Sequence, residues 1–395
     1  MKLASRMGRI GTETAFEAAA RARALEATGR SVIHLEIGEP DFDTPSNIRE
    51  AAKRALDGGA THYTSTVGIP ELRAAIAADA TVRKHFAVSP DRVVVVPGGK
   101  PVMFFTMLAL IEEGDEVIYP DPGFPIYESM INYVGGTAVP CPIRQENAFR
   151  LDPAELASLV TPRTKLLILN SPANPTGGVS TREDLEQIAA VAREHDLIVM
   201  ADEIYGRILY EGEHVSIASL PDMIDRTIVL DGFSKTYAMT GWRLGYAIVP
   251  EKLVMPFSRL LVNSVSCTNA ATQWAGVEAL TGPQDPVLAM VEEFRARRDL
   301  IVDGLNAIPG VSCLRPSGAF YAVPDISGTG LSGAELADRL LQESGVSALA
   351  GTAFGHVGRN HLRFSYANSR ENIVEAMKRM RAVVEPLAAK AAAGR

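Results

Sequence analysis

Lys235 and a carboxylate upstream of it are the residues of this chain whose types and surroundings best fit catalysis. Lys235 lies in the run SKTYAMTGWRLG, and Asp202 and Tyr205 belong to the sequence DEIY at the end of an apolar run. A lysine amine can hold an aldehyde cofactor as a Schiff base and can later carry protons as a general base. A carboxylate can pair with a protonated ring nitrogen of such a cofactor and make the ring an electron sink. Taken singly, Asp202 fits a turn or a helix cap and Lys235 fits a surface lysine, so these two residue types alone leave the simpler interpretations open.

A second candidate site is the sequence Pro97-Gly98-Gly99-Lys100, where a predicted strand ends and a predicted helix begins. Free N–H groups and the helix dipole make such a junction a ready phosphate site. Glycine lets the backbone approach a ligand closely. On its own, however, this sequence fits an ordinary glycine turn better than a binding site.

Several motifs, in one order along nearly the whole chain, resemble the class I and II aminotransferases that use pyridoxal 5′-phosphate (PLP). IGEPDFDTP stands near the start, SPANPTG and DEIY lie in the middle, SKTYAMTGWRLG follows, and HLRFSYANS stands near the end. The chain is similar to the bacterial aspartate and aromatic aminotransferases of prokaryotic type. The resemblance implies PLP as cofactor and PLP fold type I. This is an α/β fold with a large domain, whose mostly parallel central sheet is flanked by helices, and a smaller α+β domain.

The resemblance also implies a cofactor site, residue by residue. Lys235 would carry the cofactor, Asp202 would pair with its ring nitrogen, and Phe124 would lie against the face of its ring. Asn174 and Tyr205 would hydrogen-bond the ring oxygen O3′. Lys235, Asp202 and Tyr205 are thus the implied catalytic residues. The implied phosphate ligands are Gly98, Gly99, Lys100, Ser234, Arg243 and, from the neighbouring subunit of a homodimer, Tyr63.

The implied substrate site centres on Arg363, within HLRFSYANS. A guanidinium offers two parallel donors to the α-carboxylate of an amino acid, which a lysine cannot reproduce. Gly38 would supply a close backbone contact to the same carboxylate, and Asn174 is expected beside it. By family position, three apolar residues lie near the distal pocket and favour aromatic or aliphatic amino donors beside, or instead of, dicarboxylates: Phe16, Ile37 and Leu108.

The function implied by these residues is transamination between an α-amino acid and an α-keto acid, in two half-reactions with ping-pong order. The leading alternative is another fold type I PLP reaction on an amino acid, namely β- or γ-elimination, replacement, ring-forming dehydration or decarboxylation, because a fold does not decide chemistry. A cofactor-binding sensor is a third interpretation. It lacks support because the chain has no basic helix-turn-helix extension.

The composition bounds the remaining function classes. The chain has 395 residues, 47% hydrophobic and 22% charged, with a net charge of −8 and scattered lysines and arginines. This pattern argues against a nucleic-acid groove or a polybasic membrane patch. Cys141, Cys267 and Cys313 are far apart, and the histidines show no paired spacing, so we expect neither disulfides nor a metal site. With no apolar leader segment near its start, the protein is expected to be cytoplasmic.

Apolar runs rich in β-formers alternate with helical periodicity, which predicts a parallel sheet with crossover helices. The helix at 181–195 should begin after Ser180 as N-cap, and the alanine-rich tail 388–395 should be a fraying helix end. By the resemblance, 46–280 form the large domain, and 1–45 with 281–395 form the small one. The predicted strands are 92–96, 116–119, 137–140, 165–169, 197–201, 227–230, 244–249, 319–323 and 361–366, and the predicted helices are 13–27, 100–111, 125–134, 181–195 and 285–307.

Overall fold

A seven-stranded sheet is the largest element of the computed structural model, which describes residues 1–393. Its strand order is β2-β8-β7-β6-β5-β3-β4. β8 is antiparallel to β2 and β7, and the other neighbours are parallel, which confirms the predicted mostly parallel α/β sheet. The strands of the chain are Ile33–His34 (β1), Val93–Val96 (β2), Glu116–Asp121 (β3), Thr137–Pro142 (β4), Thr164–Asn170 (β5), Ile198–Asp202 (β6), Thr227–Gly232 (β7), Gly245–Ile248 (β8), Tyr321–Ala322 (β9), Val346–Ser347 (β10), Leu349–Ala350 (β11) and Leu362–Ser365 (β12).

Helices cover both faces of this sheet, so its strands are apolar on both sides. All four valines of β2 are fully buried. One face packs on α4, α5 and α8, and the other carries cores formed with α3, α7 and α9. The helices are Thr14–Glu26 (α1), Ser46–Asp57 (α2), Pro70–Arg83 (α3), Lys100–Leu110 (α4), Ile126–Val134 (α5), Pro153–Leu159 (α6), Arg182–Glu194 (α7), Glu251–Ser264 (α8), Ala270–Thr281 (α9), Asp285–Asn306 (α10), Gly333–Arg339 (α11) and Arg370–Ala393 (α12).

The start of α7 corrects one prediction. The N-cap is Thr181 rather than Ser180, and its hydroxyl accepts a hydrogen bond from the Asp184 N–H at 3.1 Å. The Asp184 carboxylate in turn accepts one from the Thr181 N–H at 2.8 Å. A carboxylate three residues after the cap satisfies a second free N–H group, and this favours Thr181 as the cap.

Both ends of the chain meet in a second core, beside the large sheet. β1 pairs in parallel with β10, and Leu35 packs in the same cluster as Phe294 of α10 and Phe364 of β12. A small antiparallel sheet, β11-β12-β9, completes this region. The predicted strand 319–323 is shortened to β9 because Ala319 has a φ of +57°, which lies outside extended backbone.

The C-terminal helix α12 runs to Ala393. The predicted fraying tail 388–395 is therefore helical as far as residue 393, and its last two residues lie outside the described part of the chain. No helix within residues 1–393 is long and apolar enough to cross a membrane.

Candidate active site

One cavity of about 410 Å³ lies at the carboxyl ends of β5, β6 and β7. In sheets of this kind, the carboxyl ends of parallel strands and the loops after them form a crevice where ligands bind. The cavity brings together most of the residues singled out from the sequence. These are Gly38, Gly99, Lys100, Phe124, Asn174, Asp202, Tyr205, Ser234, Lys235, Arg243 and Arg363.

Lys235 lies in the turn that follows β7, and its side chain points into the cavity. Its Nζ donates a hydrogen bond to the carbonyl oxygen of Gly38 at 2.6 Å. Burial lowers the pKa of Lys235 to about 8, although Glu39 and Glu13 act in the opposite direction. A substantial fraction of this amine is therefore neutral near pH 8, as a nucleophile or a general base requires.

Asp202 is the last residue of β6 and is only 3% exposed. The Tyr127 hydroxyl donates a hydrogen bond to its carboxylate at 2.6 Å, and the Ile204 N–H donates another at 3.2 Å. Burial raises the pKa of Asp202 to about 6, and these two hydrogen bonds oppose that rise. A carboxylate held in this way is costly to ionise alone and is ready to pair with a cation in the cavity.

Tyr205, Tyr321 and Arg363 form a third group on the cavity wall. The hydroxyls of Tyr205 and Tyr321 are 2.6 Å apart, and burial raises the pKa of Tyr205 well above its ordinary value. Tyr205 therefore stays a neutral phenol that can donate a hydrogen bond. The Arg363 guanidinium lies 4.6 Å from the centre of the Tyr321 ring and donates to the carbonyl oxygen of Glu36.

Two buried polar atoms of this cavity have no hydrogen-bond partner among residues 1–393. They are Oδ1 of Asn174 and Nε of Arg363. The Asn174 backbone is fixed, because its N–H donates to the side chain of Asn170 at 2.7 Å. Buried polar groups are normally paired, so these two atoms indicate positions for polar atoms of a ligand.

A basic corner of the cavity lies at the start of α4. Gly99 is the residue before this helix, and Ser234 and Arg243 line the cavity beside it. Gly98 does not line the cavity but lies behind it, with a φ of +87°. A Cβ at Gly98 would come within 2.2 Å of an Arg243 nitrogen, so only glycine leaves room for that guanidinium. The corner offers helix N–H groups, a hydroxyl and a guanidinium, which are the donors that bind phosphate.

Two predicted residues lie away from this cavity. Tyr63 is 88% exposed and does not line the cavity of its own chain. Leu108 is on the exposed side of α4, so the expectation that it lies near the distal pocket is wrong for the described chain. Helical geometry explains this, because residue 108 points away from the face of α4 that carries Lys100 and Met103. Phe16 and Ile37, in contrast, line the cavity as expected.

The cavity residues that sequence reasoning missed include Glu13, Tyr127 and Tyr321. Tyr127 lies within a predicted helix and Tyr321 within a predicted strand, and neither belongs to a recognised motif. The only signal available was that both are aromatic residues with a polar tip, which need a partner when buried. Glu13 carried no signal, because its partner Lys100 is 87 residues away in sequence.

A buried ionic cluster lies behind Asp202. The Nζ of Lys84 is 2.6 Å from Glu203 and 2.8 Å from Asp231, and the hydroxyl of Ser216 donates to Glu203 at 2.6 Å. Burial alone would lower the pKa of Lys84, but Asp231 and Glu203 outweigh it and raise the pKa. The cluster thus joins the end of β6 to β7 by charge-assisted hydrogen bonds.

The sequence of this chain matches the model of one protein family, and the fold and the site agree with this match. Residues 30–380 match the model of the family "Aminotransferase class I and II", and the chain belongs to this family. The protein is an aminotransferase, which transfers an amino group between an α-amino acid and an α-keto acid. Members of the family use PLP, and the described residues fit it, with an amine of lowered pKa, a buried carboxylate and the donors of the basic corner around one cavity.

Individual relatives show how widely this similarity extends. The chain is 42% identical to an aspartate aminotransferase of Pyrococcus abyssi, over 91% of this chain and 93% of that protein. It is 41% identical to aromatic-amino-acid aminotransferase 2 of Thermococcus litoralis, over 90% of this chain and 92% of that protein. The structure of aspartate aminotransferase from Thermus thermophilus with maleate superposes with a TM-score of 0.92 at 39% identity, covering 97% of this chain and all of that chain.

Proposed function

We propose that this aminotransferase carries PLP on Lys235 and uses the cavity for both half-reactions. One observation carries the proposal. The same cavity is lined by the partly neutral amine of Lys235, the buried carboxylate of Asp202 and the guanidinium of Arg363. These three groups match the aldehyde carbon of the cofactor, its ring nitrogen and the α-carboxylate of a substrate.

The cofactor would be held at both ends. At one end Asp202 would hold a proton on the ring nitrogen, and its own hydrogen bond from Tyr127 keeps the carboxylate in place. Phe124, which packs edge-on against Tyr127 at 5.7 Å, would cover one face of the ring. The O3′ oxygen would be bound by Asn174 and Tyr205. The phosphate would be bound at the basic corner by the main-chain N–H groups of Gly99 and Lys100 and by the side chains of Ser234 and Arg243, while Gly98 leaves room for the Arg243 guanidinium.

When bound, PLP supplies an electron sink that makes the hydrogen on the α-carbon of an amino acid acidic. Once the amino group of the substrate has replaced Lys235 on the cofactor, the freed Lys235 amine, neutral in part near pH 8, would take that proton and return it to the neighbouring carbon of the cofactor. Arg363 would hold the α-carboxylate through its unpaired Nε and so orient the α-carbon toward the amine. Gly38 contributes space, since a Cβ there would come within 2.1 Å of the Tyr321 hydroxyl.

The amino donor and the keto-acid acceptor would bind in this cavity one after the other. The same lysine serves both half-reactions, so the first keto acid leaves before the second binds, which is ping-pong order. The side chain of the donor would face Phe16 and Ile37. Their apolar character supports aromatic or aliphatic amino donors beside, or instead of, dicarboxylates.

The quaternary structure, domains and location are parts of the same proposal. We infer a homodimer in which Tyr63, 88% exposed here, reaches the phosphate in the partner subunit. The pairing of β1 with β10 supports a small domain of residues 1–45 with 281–395, next to a large domain of 46–280. A cytoplasmic location stays a prediction from sequence, and the three free cysteines suit a reducing compartment.

The attachment site of the cofactor is the direct test of the proposal. Borohydride reduction of the protein with PLP, followed by proteolysis and mass spectrometry, should find the pyridoxyl group on Lys235. Lys235→Ala should lose catalysis by several orders of magnitude, and Lys165→Ala, a change at a lysine outside the cavity, should not. Modification of Lys100 or Lys165 instead would contradict the assignment. A panel of amino acids, each tested for keto-acid product, would then identify the donors.

A further inference from the structure

Lys100 and Glu13 form an ion pair on the wall of the cavity. Lys100 is the first residue of α4, and its Nζ lies 5.8 Å from the centre of the Phe124 ring. Glu13 is the residue just before α1, and its side chain is 16% exposed, against 49% for that of Lys100. The carboxylate is therefore the more buried partner, and the ammonium group is its counter-charge.

The cavity is lined by four cationic side chains, all within residues 1–393, namely Lys100, Lys235, Arg243 and Arg363. Three of them have a place in the proposed function, as the reacting amine, a phosphate ligand and the ligand of the α-carboxylate. The ammonium group of Lys100 is then the cation left for a second carboxylate, such as that of an acidic amino donor. The Glu13 carboxylate, however, already accepts a hydrogen bond from this ammonium group.

The surroundings of the pair are largely apolar. Thr14, Ala15 and Phe16 follow Glu13 along the chain and line the cavity with it, as does Ile37, and only Thr14 among these four is polar. A second substrate carboxylate in this region would have to displace Glu13 from Lys100 or lie beside a like charge. Either event is unfavourable, because an unpaired or repelled charge in a partly buried site is costly.

We propose that Glu13 is a specificity-determining residue, which mimics the second carboxylate of an acidic donor and thereby disfavours dicarboxylates. This inference rests on the proposed function, since it takes Arg363 as the ligand of the α-carboxylate. With Glu13 in place, the distal pocket presents a neutral ion pair and apolar walls, which suit donors with uncharged side chains. When the charge of Glu13 is removed, the ammonium group of Lys100 becomes free to bind a second carboxylate.

Glu13→Gln tests the proposal, because it removes the charge and keeps the shape. We expect kcat/KM for aspartate relative to that for phenylalanine to rise roughly tenfold, mainly through a lower KM for aspartate, as one charge-assisted hydrogen bond would give. Succinate, a dicarboxylate with no amino group, should bind the variant roughly tenfold more tightly in calorimetry of the PLP-loaded protein. Glu17→Gln, the same change one turn along α1 at an exposed residue outside this cavity, should change neither quantity.

A second variant tests the role of Lys100. In the double variant Glu13→Gln/Lys100→Met, the gain toward aspartate and succinate should disappear, because the main-chain amides of the basic corner remain and the ammonium group is gone. An unchanged ratio of donors in a folded Glu13→Gln variant would overturn the proposal. So would a loss of activity with arginine or lysine and no gain with aspartate, which would make Glu13 a ligand of cationic donors. A wild-type protein that transaminates no amino acid would overturn the proposed function instead, and succinate binding would still test Glu13.

Discussion

Asp202→Asn should change the pH dependence of stability in the cofactor-free protein. The Asp202 carboxyl is buried in the cavity, and burial raises its pKa from the ordinary 3.8 to about 6. A group whose pKa is raised on folding contributes stability below its unfolded pKa and loses that contribution as the pH rises through the folded pKa. Asparagine does not titrate, so the variant lacks this change.

The magnitude follows from the two pKa values. Between pH 5 and pH 8 the wild-type contribution falls by about 1.4 kcal/mol, since one pKa unit corresponds to roughly 1.36 kcal/mol. The free energy of unfolding of the variant minus that of the wild type should therefore be about 1.4 kcal/mol larger at pH 8 than at pH 5. The hydrogen bond from Tyr127 is present at both pH 5 and pH 8, so its effect on the free energy of unfolding largely cancels in this difference.

Urea unfolding of the cofactor-free proteins at pH 5 and pH 8 measures this difference. Asp57→Asn, a change at an exposed carboxylate outside the cavity, serves as the control and should show a much smaller pH-dependent difference. Adding PLP at pH 8 should stabilise the wild type more than the Asp202→Asn variant, because a protonated ring nitrogen pairs with the carboxylate. If the difference in the free energy of unfolding between the Asp202→Asn variant and the wild type is the same at pH 5 and pH 8, the view that burial disfavours the ionised Asp202 carboxyl is refuted.

Three further changes test the rest of the site. Arg363→Lys should raise KM for amino donors roughly tenfold or more in steady-state kinetics and leave PLP affinity nearly unchanged, because an ammonium group cannot offer the two parallel donors of a guanidinium to the α-carboxylate. Equal losses of affinity for PLP and for the amino donor would indicate that Arg363 binds the cofactor. Tyr127→Phe should weaken PLP binding roughly tenfold in spectroscopic titration, since Asp202 loses a hydrogen bond that favours its charged form, whereas Tyr133→Phe on the same helix should not. Mixed Tyr63→Phe and Lys235→Ala subunits should be more active than either parent, because one site of the heterodimer is then intact, and no recovery after confirmed subunit exchange would argue against a shared site.

The sequence alone was enough to predict the sheet and the strand-end positions of the site. Apolar runs of strand length separated by helical periodicity give a mostly parallel sheet, and the carboxyl ends of its strands must meet at one edge. Asp202, which ends β6, and Lys235, which follows β7, were therefore predictable as neighbours in space.

Only the tertiary structure decided which side chains contact Asp202 and Lys235 and in which protonation state these two residues are. The hydrogen bond from Tyr127 to Asp202 and the contact of Tyr205 with Tyr321 join residues that are 75 and 116 positions apart. The ion pair of Glu13 with Lys100 likewise depends on how α1 packs against the start of α4. Local periodicity carries no information about such contacts, and the lowered pKa of Lys235 and the raised pKa of Asp202 arise from burial that exists only in the folded chain.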